Sequence, residues 1–382
     1  MKILFASDSF KGTISSARTI ELLTKAAHAV WSDCETCGIL IADGGEGTVE
    51  TVTAVRGGEL VYVNVNGPLM EPVRAFYGTL SDTEAILEMA SASGLPLIPE
   101  GKRDPRNTTT FGTGEVLKAI LDAGFTDITI AIGGSATNDG GMGCAKALGM
   151  RFLDDEGKEL EGYGKDLARV VHIDRTGMDP RMKNVKLTVM CDVVNPLCGE
   201  NGATYTFGAQ KGGTPKILDE LEAGMRNYRD VIHKEYGIDP DQIVGGGAAG
   251  GLGAALNIFF KGELRSGIET VLDRIDFDSK LSGVDLVVTG EGRTDGQSAQ
   301  GKVLQGVGER TRKYHVPVVA LSGSLGDVYE KIYEHGIQSL MTTVDGPMSL
   351  EKALENAEDL YVKGAVRLFR MIQVGMMIAD TK

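Results

Sequence analysis

Asp285-Leu-Val-Val-Thr-Gly-Glu-Gly-Arg-Thr-Asp295 is the stretch that decides how the chain is organised. Its opening run, Asp285 to Thr289, reads as a strand of a β-α rhythm. A polar, glycine-rich turn follows, and Val303 to Tyr314 then reads as a helix. Val316 to Leu321 and Gln338 to Thr342 read as further strands, and Leu350 to Ile372 as a closing helix with Leu354, Ala357, Tyr361, Ala365, Leu368 and Ile372 on one stripe. The same β-α rhythm opens the chain. Lys2 to Ala6 is a strand, Ser15 to Val30 an amphipathic helix, Gly38 to Ala42 a second strand and Val49 to Val55 a short helix. Between these two regions the texture changes. Leu60 to Val65, Val73 to Tyr77 and Ala85 to Met89 alternate or are β-rich, which reads as an antiparallel meander. Two early strands and three late ones thus make one parallel sheet, interrupted by a middle domain. The expected fold class is α/β with two domains: a discontinuous flavodoxin-like parallel-sheet domain, 1–60 plus 275–382, and an inserted mixed α/β domain, 61–274, with the active site in the cleft between them.

Composition bounds the function. A length of 382 residues supports two cores, and 42% apolar with 24% charged residues is ordinary for a globular protein. A net charge of -14 argues against nucleic acid as a partner, but not against a small anionic ligand that feels only local lysine and arginine. The 52 glycines are nearly twice the usual share and gather in turns after apolar runs, as loops shaped around ligands do. The five cysteines form no framework, and Cys34 and Cys37 have no second pair or histidine cluster at zinc spacing. That usage fits a reduced, cytoplasmic compartment. No apolar run approaches the roughly eighteen residues of a membrane span, and the N-terminus reaches Asp8 too early for a secretory signal. Either a monomer or a homodimer is compatible with these features.

Ligands in open α/β sheets bind at the carboxyl ends of strands. Asp8 and Lys11 follow the first strand, Asp43 and Glu46 the second, and Glu291, Arg293 and Asp295 the third. In the middle domain, Gly133-Gly-Ser-Ala-Thr-Asn-Asp-Gly-Gly-Met-Gly143 joins the strand Ile128 to Ile132 to a helix. Its glycines allow close approach and the helix start attracts phosphate, although Asn138 and Asp139 also suit a plain helix cap. Asp192 and Asn195, on irregular backbone before a proline, can both turn oxygens toward magnesium, and an Asx turn explains them equally well. Lys211 sits in a flexible stretch, Phe207 to Gly213, where it can meet a phosphate or carboxylate. Two nucleotide motifs fail. Gly245, Gly247 and Gly250 match G-x-G-x-x-G, but Pro240 to Val244 makes a poor strand before them. Gly296 to Lys302 matches G-x-x-x-x-G-K, but Val303 stands where a P-loop has serine or threonine, so only Lys302 and the helix start remain for a phosphate. No Ser-His-Asp pattern is evident. Carboxylates and cations must do the chemistry, an inventory suited to phosphoryl transfer.

Nine stretches in order along the chain carry a resemblance: Asp8 to Gly12, Ala42 to Thr48, Glu88 to Gly94, Gly112 to Glu115, Gly133 to Gly141, Cys191 to Pro196, Phe207 to Gly212, Gly247 to Gly253 and Gly290 to Asp295. By these the chain resembles the type-1 bacterial glycerate kinase family over essentially its whole length. Ser7 and Ala209 depart from it, standing where the family usually has proline, which loosens a turn without removing a reactive group. The resemblance implies ATP-dependent, magnesium-assisted phosphorylation of D-glycerate to 2-phosphoglycerate; 3-phosphoglycerate or another hydroxy acid is the alternative. On that reading Asp192 and Asn195 hold magnesium, and Asp295, or Asp43 failing that, receives the hydroxyl proton, with Asp8 and Lys11 beside it. Arg293, Lys211 and Glu46 contact substrate. Gly133, Gly134, Ser135, Thr137, Asn138, Asp139 and Lys302 meet the phosphates of ATP.

Overall fold

A computed structural model describes residues 1–10, 12–45, 47–299 and 301–380. The chain divides into two compact units, Met1–Asp43 with Gly267–Lys382, and Gly44–Ser266.

The first unit is built on a five-stranded parallel sheet of Lys2–Phe5, Glu35–Gly38, Leu286–Thr289, Val318–Ser322 and Ser339–Thr342. Counted along the chain, these strands lie in the order 2-1-3-4-5, the flavodoxin order expected from the β-α rhythm. Ile3, Phe5, Leu286, Val288, Val319 and Leu321 share a core with the helices Ser16–His28 and Ala357–Asp380. The alternate residues Leu4, Val287, Val318 and Ala320 are buried too, and the helix Val303–Lys313 packs on the third and fourth strands. Burial on both faces is why these strands read as continuous apolar runs.

Two expectations shift. The second strand is Glu35–Gly38, not Gly38 to Ala42, because its partner is only four residues long and the ladder ends as Ile39 N–H reaches the Phe5 carbonyl at 2.9 Å. Ile39, Ile41 and Ala42 are nevertheless buried as the chain leaves the sheet, which explains their apolar character. The closing helix is two helices, Leu350–Glu355 and Ala357–Asp380, broken at Asn356, whose side-chain amide caps the Lys352 carbonyl at 2.8 Å. Leu354 therefore leaves the buried stripe and is 48% exposed.

The second unit holds a six-stranded sheet in the order Glu263–Arg265, Lys186–Met190, Asp127–Ala131, Glu84–Glu88, Pro72–Thr79, Leu60–Asn66. The first four strands run parallel and the last two add as an antiparallel meander. The helix Thr48–Arg56 packs on the strands Pro72–Thr79 and Glu84–Glu88 of this sheet. Register aligns Glu88, Ala131, Met190 and Arg265 at one end. Four loops therefore leave the parallel strands side by side. Among the described residues no helix is long and apolar enough to cross a membrane.

Candidate functional site

In the first unit, the loops at the carboxyl ends of all five strands line one pocket of about 730 Å³. Asp8 and Ser9 follow the first strand, Asp43 the second and Glu291 to Arg293 the third. Gly323 and Ser324 follow the fourth, and Thr343, Val344 and Gly346 to Ser349 the fifth. The direction of winding reverses between the first and third strands, where α/β sheets bind ligands, and Asp8 and Glu291 come from those two. Backbone bonds lace the loops together: Asp8 N–H donates to the Gly290 carbonyl at 2.9 Å, Gly323 N–H to the Glu291 carbonyl at 3.0 Å and Thr343 N–H to the Ser322 carbonyl at 2.8 Å. A side chain at Gly290 would stand 2.0 Å from the Leu321 carbonyl oxygen, so this crossing admits glycine alone.

Glu291 is 7% exposed and accepts the Thr294 hydroxyl at 3.0 Å. Burial pushes its carboxyl up; the Ser298 and Thr294 hydroxyls and the Lys302 charge oppose this, and Asp8 adds to it. Lys302 lines the pocket at the start of the helix Val303–Lys313. The opposite wall is apolar, with Pro347, Met348, Leu350, Leu354 and Leu360. Leu350, 75% exposed, is the most open of that wall's leucines. Arg293 also lines the pocket, while its neighbour Asp295, 3.5 Å away, does not. Their side chains are 66% and 30% exposed, so the pair contributes little to stability and leaves Arg293 available to a ligand.

In the second unit, Glu88, Ala90, Ser91, Ala131, Gly133 and Gly134 line a smaller pocket of about 280 Å³ together with Gly44, Gly45 and Gly47. The turn that follows Ala131 is held from behind. Asp139 is fully buried; its carboxylate accepts N–H groups from Thr110 at 2.7 Å, Gly141 at 3.1 Å and Gly143 at 3.2 Å, and the Thr110 hydroxyl at 2.8 Å. Burial raises its carboxyl and those four donors oppose the rise. Lys211 is 2% exposed and gives its ammonium to the Thr137 carbonyl at 2.7 Å. Burial pushes its pKa down to about 7, against the pull of Asp139. Thr137 and Asn138 are likewise fully buried, Asn138 donating to Thr204 at 3.2 Å. Of the residues expected on this turn, Gly133 and Gly134 thus reach a pocket and Ser135 is 8% exposed beside them. Thr137, Asn138, Asp139 and Lys211 lie inside, shaping the turn.

Asp192 and Asn195 occupy the next loop of the aligned set. Asp192 is exposed and accepts the Ser266 hydroxyl at 3.4 Å. Asn195 gives its amide nitrogen to the Asn201 carbonyl at 2.7 Å, which leaves its oxygen to accept or ligate. Among the described residues no three His, Cys, Asp or Glu side chains gather as a metal cage. A two-residue oxygen set completed by phosphate and water is the arrangement magnesium tolerates, so these residues fit it. Lys11 and Glu46 lie outside the described residues.

Sequence reasoning gave Glu88 no role, though it closes the apolar run Ala85 to Leu87 with an acid at a strand end.

The glycerate kinase family matches as a sequence pattern over residues 3–373. The chain belongs to the glycerate kinase family. It is 44% identical to a glycerate kinase of Bacillus subtilis (strain 168), over 100% of this chain and 99% of that protein. It is 41% identical to a glycerate 2-kinase of Escherichia coli (strain K12), over 98% and 99%. A crystal structure of a protein assigned as glycerate kinase 2 from Salmonella typhimurium LT2 superposes with a TM-score of 0.88 at 40% identity, covering 99% of each chain. The family is one of enzymes that act on a small molecule and a nucleotide.

Proposed function

We propose that the protein transfers the γ-phosphoryl group of ATP to the 2-hydroxyl of D-glycerate, giving 2-phosphoglycerate and ADP. The observation that carries this reading is the pocket of about 730 Å³ at the switch point of the first unit, in a chain matched by the glycerate kinase family over residues 3–373. Its apolar wall suits a base, and Lys302, Arg293 and the helix start suit phosphates. In the transfer, the hydroxyl oxygen bonds to the γ-phosphorus, the bond from that phosphorus to the β,γ-bridging oxygen breaks, and the hydroxyl proton passes to a carboxylate. Asp43, which lines the pocket, and Asp295 are the sequence's candidates for that carboxylate, with Asp8 beside the first of them along the pocket wall. Asp192 and Asn195 would hold magnesium, which screens phosphate charge. Gly133, Gly134 and Ser135 offer backbone to an anionic group, while Thr137, Asn138, Asp139 and Lys211 keep that backbone in shape. Use of ATP and five free thiols both fit the cytoplasm.

The test is ADP release with ATP, magnesium and D-glycerate, followed by NMR of the phosphorylated product. Formation of 2-phosphoglycerate is expected. The 3-phosphate would overturn the regiochemistry, and ADP release only with a different hydroxy acid would overturn the substrate.

A further inference from the structure

Glu88 ends its strand at the rim of the smaller pocket, yet is only 7% exposed. The helix Thr48–Arg56 begins at Gly47, which has no side chain to cap it. Glu88, on a strand this helix packs against, supplies the missing acceptor, taking the Val49 N–H at 3.0 Å. One residue therefore holds Gly47, Thr48 and Val49 at the helix start on one side of the pocket and stands beside the Gly133-Gly134 turn on the other. Burial pushes its carboxyl up to about 7, although the Val49, Thr48 and Gly47 amides oppose this; the charge of Glu50, in the same pocket, adds to it. The remaining charges on the packed elements are engaged elsewhere: Arg56 with Glu84, Lys186 with Asp127, and Arg74 over the Tyr62 ring. A poised carboxylate at a small pocket lined largely by glycine and alanine is the arrangement of a base for a small substrate.

We propose that this pocket holds the small hydroxy acid and that Glu88 is the catalytic residue that takes its hydroxyl proton. The proposal rests on the kinase reading above and names its proton acceptor in place of Asp43 and Asp295. As the substrate oxygen bonds to the γ-phosphorus and the β,γ-bridging bond breaks, the proton moves to the Glu88 carboxylate, which returns it to water once product leaves. Seven of the twelve lining residues are glycine or alanine, with Phe76, Pro96, Ser91 and Glu50 completing the wall, so the space suits a three-carbon acid whose carboxylate the Gly133-Gly134 turn can meet.

The test compares Glu88→Gln with Asp43→Asn and Asp295→Asn, measuring kcat at saturating substrates from pH 5.5 to 8.5 and ATP affinity separately. In the wild type, kcat should fall about tenfold per pH unit below about 7. Glu88→Gln should lower kcat roughly 100-fold or more, erase that acid limb and leave the ATP Kd within twofold. A Glu88→Gln enzyme within threefold of wild type, or one that keeps the limb, overturns the proposal. Gly133→Val guards against a folding artefact, because a Cβ there meets nothing within 4 Å. It should raise the hydroxy-acid KM at least tenfold with the ATP KM unchanged; the reverse split would place the acid elsewhere. Should the wild type release ADP with another acid and not with D-glycerate, the substrate reading falls, and the same two variants then test Glu88 on that acid.

Discussion

Asp139 offers the sharpest test of how the central glycine turn is held. In Asp139→Ala the N–H groups of Thr110, Gly141 and Gly143 lose their acceptor in a region with no access to water. Each orphaned buried donor costs about 1–3 kcal/mol, so with partial relaxation the loss is roughly 3–6 kcal/mol, a large part of the ~5–15 kcal/mol typical of a domain. Asp139→Asn is the milder control. It keeps one oxygen as acceptor but turns an NH2 group on the remaining donors, for about half that cost. A chain of two compact units need not unfold in one step, so a probe local to the turn is sharper than a global midpoint. Amide hydrogen exchange on peptides covering 139–148 reads the turn directly. Exchange at Gly141, Gly143 and Cys144 should quicken by roughly 100- to 10,000-fold in Asp139→Ala, and less in the asparagine variant. Protection within threefold of wild type would show that Asp139 does not carry the turn.

Two buried groups predict opposite pH trends. The Glu88 carboxyl binds its proton more tightly folded than unfolded, so its contribution is present below about 4.5 and lost as pH rises to about 7. Thermal stability of wild type relative to Glu88→Gln should therefore fall across that window by roughly 3 kcal/mol, and a flat difference would refute the burial argument. Lys211 holds its proton more weakly folded, so wild type should lose stability relative to Lys211→Met as pH falls from about 10.5 to about 7; a constant melting difference there would count against it. Gly250→Ala should cost at least about 2 kcal/mol, because its Cβ would lie 2.1 Å from the Thr137 carbonyl oxygen at a φ of +65°, and an unchanged urea midpoint would refute that clash. Asp192→Ala should abolish magnesium-dependent turnover with circular dichroism unchanged; near-normal activity would remove Asp192 from the metal site.

The parallel sheet was legible because strands buried on both faces must be largely apolar, and 286–288 and 318–321 are apolar without a break. The second strand was displaced because the apolar run Gly38 to Ala42 reports burial, whereas pairing is set by the length of its neighbour Lys2–Phe5. Asp8, Asp43 and Glu291 could be found by position alone, since strand-end turns of such a sheet face a common pocket. Glu88 could not, and Asp139 only in part. The partner of Glu88 lies 39 residues earlier and leaves no local pattern; Asp139 reads locally as a cap, taking the Gly141 and Gly143 N–H groups, but its bond to Thr110, 29 residues earlier, does not show in the sequence. Polar residues on a glycine turn are ambiguous for the same reason: they can hold a ligand or hold the turn. What separates the two is which group takes the backbone N–H donors. Asp139 takes those of Gly141 and Gly143 from within, so a ligand can meet this turn only where it borders open space, at Gly133 and Gly134.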